Sequence, residues 1–209
     1  MIIRKAQPRD LPQIVAIYNQ AIPSRRVTAD LSPVTIAQRQ EWFDFHLNHD
    51  RYPIWVITEN DEANAAVQAS PESQSAVSKT RVSAHPPADD SESITVSQKA
   101  ANNSRILGWC SFSPFYPRAA FDNTVEISLY LDQTVKGRGI GSRALQFMQS
   151  QMAARYINTL MAYVIEENHI SRRTFEKQGF TQWGRYPNIA NMGDSLQTFL
   201  MYGYQTGIE

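Results

Sequence analysis

The chain has 209 residues, of which 42% are hydrophobic, and this is enough for one domain with a real core. Its 20 Lys and Arg side chains balance its 20 Asp and Glu side chains, so net charge gives no argument for nucleic-acid binding. The single cysteine, Cys110, excludes an intramolecular disulfide and a cysteine-based zinc site, and we interpret it as a small buried residue.

The first part of the chain predicts a strand, two helices and a second strand. A short strand is predicted over Ile2 to Lys5, and Asp10 is expected to cap the helix that follows it. A second helix is predicted from Ser32-Pro33 to about Asn48. Ile54 to Thr58 is a continuous apolar run typical of a buried strand.

Residues 61–103 differ from the rest of the chain. They contain no aromatic residue and no leucine, and they are rich in Ser, Ala, Gln and Pro. Such a composition buries too little apolar surface to offset the entropy lost on ordering. We therefore predict a mobile, low-complexity insertion that interrupts a single domain spanning residues 1–209.

The remaining part predicts strands that alternate with helices. Strands are predicted over 106–113, 124–131, 159–165, 180–186 and 196–204, and helices over 139–155 and 168–178. The order of elements favours an α/β (α+β) domain built on a mixed sheet.

The most informative stretch is the glycine-rich turn between the strand at 124–131 and the following helix. Gly137, Gly139 and Gly141 leave backbone N–H groups unshielded at a helix N-terminus, where a phosphate anion binds readily. Lys136 and Arg138 add positive charge beside them. The turn predicts a ligand that carries a diphosphate; the alternative is a tight turn that only packs a helix closely on a strand.

Two other phosphate-binding patterns do not fit this turn. A dinucleotide-binding fingerprint lies in the first βα unit and requires an acidic residue about twenty positions later. At that distance from the turn this chain has Tyr156-Ile157-Asn158, none of which is acidic. A Walker-type loop requires the sequence Gly-Lys-Ser/Thr, whereas this chain has Gly141-Ser142-Arg143 at the corresponding positions.

The turn and a later helix resemble the cofactor-binding motifs of the GNAT superfamily of N-acetyltransferases. The motifs are Lys136 to Gly141 and Asn168-His169-Ile170-Ser171, the latter followed by Phe175 to Phe180. Within the superfamily the chain is similar to the phosphinothricin acetyltransferase-like group, through Ile17–Ile22, Arg39–Phe43 and Ser113–Tyr130. The resemblance implies the GNAT fold, in which helices flank a central splayed mixed β-sheet and acetyl-CoA occupies the split.

The resemblance also implies which residues bind the cofactor. Ser128, Leu129 and Tyr130 would pair with the pantetheine arm through their backbone, as an added strand does. Asn168 and Ser171 would contact the cofactor near the pantetheine, although Asn168 is equally a good helix N-cap. The diphosphate would lie on the turn and the start of its helix, at Lys136, Gly137, Arg138, Gly139, Ile140, Gly141 and Ser142.

Glu126 is the predicted catalytic base. Acetyl transfer to an amine needs a neutral nitrogen, and a positioned carboxylate can remove the proton that an alkylamine carries at pH 7. Glu126 stands in an otherwise apolar strand, where desolvation would raise its pKa and its basicity. By resemblance, Thr124 to Ser128 matches the family's base-bearing segment; the alternative is a strand-edge glutamate that faces water.

The leaving thiolate needs a proton, and its donor is open. Many relatives have a tyrosine at the position of Phe175, which carries no hydroxyl. Tyr163, His169 or an ordered water could serve instead.

The resemblance implies a small amino-acid-like acceptor of the phosphinothricin or methionine sulfoximine type. Arg118 matches an arginine near the substrate of such relatives, and an arginine fork suits an α-carboxylate. Tyr116 and Phe121 replace a second arginine and a tyrosine there, and Thr124 completes the predicted substrate set. The segment Tyr186 to Asp194 departs from the pattern of herbicide-detoxifying members, so phosphinothricin is one acceptor among several.

Two other functions stay open. A CoA-sensing module without catalysis is suggested by Phe175, and acetylation of a protein N-terminus or lysine would need an open groove. The expected partners are acetyl-CoA and a small-molecule amine, without metal, nucleic acid or membrane, and the resemblance implies a homodimer. The lack of a transmembrane-length apolar stretch and of a signal peptide predicts a cytoplasmic protein.

Overall fold

One sheet organises the part of the chain that the structure describes. The computed structural model describes residues 1–59 and 105–207, so the insertion predicted at 61–103 lies outside the described residues. The strands are β1 (Ile2–Lys5), β2 (Ile54–Thr58), β3 (Ile106–Pro114), β4 (Thr124–Leu131), β5 (Thr159–Ile165), β6 (Thr181–Asn191) and β7 (Leu196–Gln205). They pair in the order β1-β2-β3-β4-β5-β7-β6.

Four α-helices of the described residues accompany this sheet. They are α1 (Leu11–Ala21), α2 (Ile36–Leu47), α3 (Ile140–Ser150) and α4 (His169–Lys177). The predicted helix at 139–155 is therefore shorter than expected, because α3 ends at Ser150 and a separate 3-10 turn covers Ala153–Arg155. The α/β class and the mixed sheet predicted from the sequence are confirmed.

The predicted start of α2 at Ser32-Pro33 was wrong. Thr35 is the N-cap, because its side chain and that of Gln38 form a capping box. The Gln38 N–H donates to Thr35 Oγ1 at 3.2 Å, and the Thr35 N–H donates to Gln38 Oε1 at 2.8 Å. This reciprocal pair satisfies two backbone donors, which the Ser32-Pro33 pattern does not do.

Asp10 precedes α1 as predicted, but its side chain does not cap the helix. The Arg4 guanidinium donates two hydrogen bonds to the buried carboxylate, at 2.6 and 2.9 Å. The Gln7 N–H donates a third at 2.8 Å. A bidentate, charge-assisted pair is a stronger partner than a helix N–H, so Asp10 ties β1 to the segment before α1 instead.

The sheet splits between β4 and β5. These two strands are the parallel pair, and they are joined only where Thr124–Glu126 face Thr159–Met161. Beyond Glu126, β4 continues along β3 to Leu131, while β5 continues along β7 to Ile165. The strands therefore diverge just after Glu126, which confirms the splayed sheet that the family resemblance implied.

The two faces of the sheet pack against different helices. α1 and α2 cover the face that carries Trp109, whereas α3 and α4 cover the face that carries Val125 and Ile127. Because side chains alternate along a strand, Glu126 and Ser128 point towards the α1/α2 face. Cys110 is fully buried, as predicted, and burial raises the pKa of its thiol well above the usual range.

Candidate active site

A cavity of about 210 Å³ lies beside the glycine-rich turn. The residues that line it come from the end of α1 and the segment after it, the free part of β4, the turn, α3, and α4 with its preceding loop. Six of the predicted cofactor residues are among them: Leu129, Tyr130, Lys136, Gly141, Asn168 and Ser171. The structure thus brings together motifs that are separated by some forty positions in the sequence.

The backbone of the turn is shaped to leave N–H groups free. Gly137 and Gly139 have φ values of 77° and 71°, a left-handed conformation that glycine adopts at little cost. Gly139 is also the N-cap of α3, and no side chain caps this helix. The first N–H groups of a helix have no partner within the helix, so those of α3 are available to an anion.

Individual turn residues differ in what they offer. The side chain of Ile140 is buried in the core, so this residue offers only its backbone N–H. A Cβ at Gly141 would lie 3.5 Å from Thr174 Cγ2 and 3.6 Å from Leu131 Cδ1, so glycine keeps this wall of the cavity open. Arg138 lies 3.8 Å from Glu59 in an exposed pair, which holds it only weakly. Unpaired N–H groups with the Lys136 cation beside them have the chemistry that a diphosphate requires.

A neighbouring cavity of about 170 Å³ contains Glu126. It shares Leu129, Tyr130, Asn168 and Ser171 with the first cavity, so the two are adjacent along the split. Burial raises the pKa of the Glu126 carboxyl above its usual value. No side chain or N–H of residues 1–59 and 105–207 donates a hydrogen bond to this carboxylate, so it is available to a ligand.

The structure places the two candidate proton donors for the leaving thiolate, Tyr163 and His169, in different pockets. Tyr163 lines the Glu126 cavity from β5. Burial, with smaller effects of Glu126 and Tyr186, raises the pKa of its phenol, so it stays protonated at neutral pH. His169 lines a different pocket, with Arg172, and does not face Glu126.

Asn168 caps α4, as its sequence position allowed. The Ser171 N–H donates to Asn168 Oδ1 at 3.1 Å. Asn168 and Ser171 both line the two cavities of the split. The capping role and a contact with the cofactor are therefore compatible, because the cap uses the carbonyl oxygen and leaves the amide nitrogen.

The four predicted substrate residues lie together in a groove of about 310 Å³: Tyr116, Arg118, Phe121 and Thr124. Glu126 does not line this groove. Thr124 connects this groove with the Glu126 cavity, because it lies two residues before Glu126 on the same face of β4.

Sequence reasoning missed a small aromatic cavity under α1 and α2. It has a volume of about 110 Å³, and its lining includes Trp42, Trp109 and Ser128. The Arg39 guanidinium lies 4.5 Å from the Tyr18 ring centre, a cation–π contact. The Arg39–Phe43 stretch was noted for its resemblance, but sequence cannot show which of its aromatics face a cavity; Phe43 is fully buried.

None of the helices in residues 1–59 and 105–207 combines the length and the apolar character needed to cross a bilayer. Within the same ranges, no cluster of three or more His, Cys, Asp or Glu side chains could hold a metal ion.

A split sheet with a glycine-rich, anion-binding type of turn on one side and a half-buried carboxylate at its apex is the architecture of an acyl-CoA-dependent transferase. The profile of the Acetyltransferase (GNAT) family matches residues 71–180. The candidate phosphinothricin acetyltransferase YwnH of Bacillus subtilis is 34% identical over 92% of this chain and 91% of its own length. The chain belongs to the GNAT family of acetyltransferases and is an N-acetyltransferase with acetyl-CoA as donor.

Of two further similarities, the first supports the group and the second supports the fold alone. The L-methionine sulfoximine/L-methionine sulfone acetyltransferase of Pseudomonas aeruginosa is 26% identical over 90% of this chain and 84% of its own length. The crystal structure of a GNAT phosphinothricin acetyltransferase from Sinorhizobium meliloti, in complex with acetyl-CoA, has a TM-score of 0.72 at 19% identity. The match covers 99% of this chain and 88% of that one.

Proposed function

We propose that this chain acetylates the primary amine of a small amino-acid-like compound by direct transfer from acetyl-CoA, with Glu126 as the general base. The observation that carries the proposal is the position of Glu126. Its carboxylate lies in a cavity at the apex of the split, adjacent to the cavity beside the turn. The names of the relatives from Bacillus and Pseudomonas support an acceptor of the phosphinothricin or methionine sulfoximine type.

Binding of the donor would use the backbone more than side chains. The N–H groups of residues 137–142 and the cation of Lys136 would hold the diphosphate. The β4 edge from Ser128 to Tyr130 is unpaired towards β5, so its backbone groups can bond the amides of the pantetheine. Asn168 would add a side-chain amide to the same arm.

The chemistry follows from the charges. Glu126 takes a proton from the acceptor ammonium, and the resulting neutral amine attacks the thioester carbonyl. The new C–N bond forms, the C–S bond breaks, and the nitrogen loses a second proton. The thiolate takes a proton from Tyr163, the second proton of the nitrogen passes through water to restore the Tyr163 phenol, and Glu126 then releases its proton to solvent. The sum is ammonium plus thioester to amide, thiol and one proton.

We assign the leaving-group proton to Tyr163 because this phenol faces the Glu126 cavity. Tyr163→Phe should lower kcat about a hundredfold, a usual contribution of one acid catalyst, with unchanged acetyl-CoA affinity. Tyr156→Phe is the matched control, since Tyr156 is 81% exposed and lines neither cavity. Steady-state thiol release measures both variants. Equal kcat for Tyr163→Phe and the parent would remove this tyrosine and favour an ordered water.

The acceptor is tested with purified protein, acetyl-CoA and a panel of amines. The panel contains L-methionine sulfoximine, L-methionine sulfone, phosphinothricin, a polyamine and a short peptide, and free thiol is the readout. We expect the amino-acid analogues to react fastest. Acetylation of the peptide alone would contradict a small-amine acceptor. Tight acetyl-CoA binding without thiol release in any arm would favour the sensor function.

We also propose that residues 61–103 interrupt a single domain. The chain leaves β2 and returns to β3 at neighbouring points, since Thr58 pairs with Ile106 and the Glu59 N–H donates to the Arg105 carbonyl at 3.4 Å. Replacing residues 60–104 with Asn-Gly, a favoured two-residue hairpin turn, should therefore preserve folding and activity. Circular dichroism and thiol release measure this. A variant that is soluble and folded but inactive would show that the insertion belongs to the site.

A further inference from the structure

We propose that Ser113 is a second anchor for the acceptor nitrogen, and that His46 fixes its hydroxyl in the orientation which this requires. The inference rests on the proposed role of Glu126 and adds two residues to it. Ser113 lies on β3 directly opposite Glu126 on β4. Directly opposed side chains share a face of the sheet, with Cβ atoms about 5 Å apart.

The hydrogen bonds of His46 define its tautomer. Nδ1 lies 2.6 Å from the carbonyl oxygen of Tyr52, which can only accept, so Nδ1 carries the hydrogen. His46 is 3% exposed, and burial lowers its pKa, so the ring is neutral at pH 7. Nε2 is therefore an acceptor, and its partner among the described residues is the Ser113 hydroxyl, at 3.5 Å.

The packing around His46 keeps this arrangement in place. The ring edge contacts Trp42 and Phe45, with ring centres 5.0 and 5.1 Å apart. A ring held on two sides and bonded through Nδ1 cannot turn to present the other nitrogen without losing the bond to Tyr52. The Ser113 hydrogen consequently points at His46, and the lone pairs of Oγ are left for the site.

The position of Ser113 joins the two parts of the acceptor region. Its neighbour Pro114 and Thr124 line the groove that holds Arg118, while Glu126 lines the cavity at the split. Ser113 and Glu126 form the pair next to Pro114 in the register of β3 and β4. An acceptor whose carboxylate pairs with Arg118 would direct its amine towards Ser113 and Glu126.

Two hydrogen-bond acceptors side by side, Ser113 Oγ and the Glu126 carboxylate, favour a ligand group with several hydrogen-bond donors. A primary ammonium has three N–H groups, so Ser113 Oγ and the Glu126 carboxylate can each accept one. After Glu126 takes its proton, the bond to Ser113 remains and keeps the nitrogen lone pair directed away from β3. Ser113 therefore touches the acceptor, whereas His46 acts through Ser113 and is a positioning residue.

The kinetic test uses the fastest acceptor of the panel. Ser113→Ala should lower kcat/KM for this amine about tenfold and leave the KM of acetyl-CoA unchanged. Ser113→Thr keeps the hydroxyl and should restore most of the activity. The matched control is Ser111→Ala, on the same face of β3, because Ser111 Oγ is buried without a hydrogen-bond partner in the described residues. It should behave as the parent.

A double-mutant cycle tests whether His46 acts through Ser113. His46→Phe should cost a similar factor, and the His46→Phe, Ser113→Ala double variant should be no worse than either single variant. Additive losses would overturn the positioning role. Full activity of Ser113→Ala, in a protein whose Glu126→Gln variant is impaired, would overturn the anchor while leaving the base intact.

A measurement without any acceptor tests the hydrogen bonds themselves. In histidine labelled with ¹⁵N, the His46 signals, identified by their loss in His46→Phe, should show a protonated Nδ1 and an unprotonated Nε2. Ser113→Ala should shift Nε2 and leave Nδ1 unchanged. A protonated Nε2 at pH 7 would overturn the inference even if the acceptor panel yielded no substrate.

Discussion

Glu126→Gln should lower kcat by about two orders of magnitude or more, while the affinity for acetyl-CoA stays unchanged. Glutamine has the same shape and cannot take a proton from an ammonium. The carboxylate has no hydrogen-bond donor to lose among the described residues, so the substitution should leave the fold intact. Single-turnover thiol release measures the chemical step, and calorimetry measures acetyl-CoA binding.

The same residue predicts the acid limb of the pH profile. A general base works only when deprotonated, so kcat/KM for the acceptor should rise with pH through the pKa of Glu126. Because burial raises this pKa, the midpoint should lie above the usual value of about 4.3 for glutamic acid. The residual kcat/KM of Glu126→Gln should not show this rise with pH. If the rise persists in the variant, it reports the titration of another group.

A matched control separates chemistry from a general effect of charge. Glu41→Gln makes the same chemical change on the exposed surface of α2. It should leave rate and affinity unchanged. If Glu126→Gln retained the parent's single-turnover rate as well, Glu126 would not be the base, and the acceptor would have to bind already neutral.

Local patterns predicted the elements that frame the site. The strand at 124–131, the helix that follows the glycine turn and the Asn168 cap all depend on neighbours in sequence, and each was confirmed. Two predictions near helix starts were wrong because of competing contacts: capping of α1 by the Asp10 side chain, and the start of α2 at Ser32-Pro33. Arg4 takes the carboxylate of Asp10, and the partner that makes Thr35 the better cap lies three residues further on.

To predict the candidate site, one must know which residues of neighbouring strands lie opposite each other. Local sequence patterns do not contain this information. Residue type pointed to Glu126 and the family resemblance pointed to Arg118, yet only the structure shows that they line different cavities. Ser113 stood only at the start of a stretch noted for its resemblance, and His46 was not singled out, because a serine opposite a glutamate is recognised only once β3 and β4 are paired. Long-range register is set by the whole buried face of a sheet.

Gly139→Asp should weaken acetyl-CoA binding about a hundredfold while leaving the protein folded. Two unit charges about 5 Å apart interact by roughly 3 kcal/mol at an effective dielectric constant of 20, so one carboxylate beside the diphosphate costs a large part of the affinity. An acidic residue at a helix N-terminus stabilises the helix by about 0.3–1 kcal/mol, which offsets part of the strain that a side chain adds at φ 71°, so the variant should stay folded.

Gly139→Asn isolates the charge from the backbone. Asparagine and aspartate have the same shape and both tolerate the left-handed conformation that Gly139 adopts at φ 71°, and no atom lies within 4 Å of a Cβ placed there. The asparagine variant should therefore bind acetyl-CoA within a few-fold of the parent. Raising the salt concentration should reduce the difference in acetyl-CoA affinity between the two variants, because screening weakens charge repulsion and leaves backbone strain unaffected. Equal affinities for Asp and Asn at low salt would mean that the diphosphate does not bind at this turn, and the split would then need another occupant.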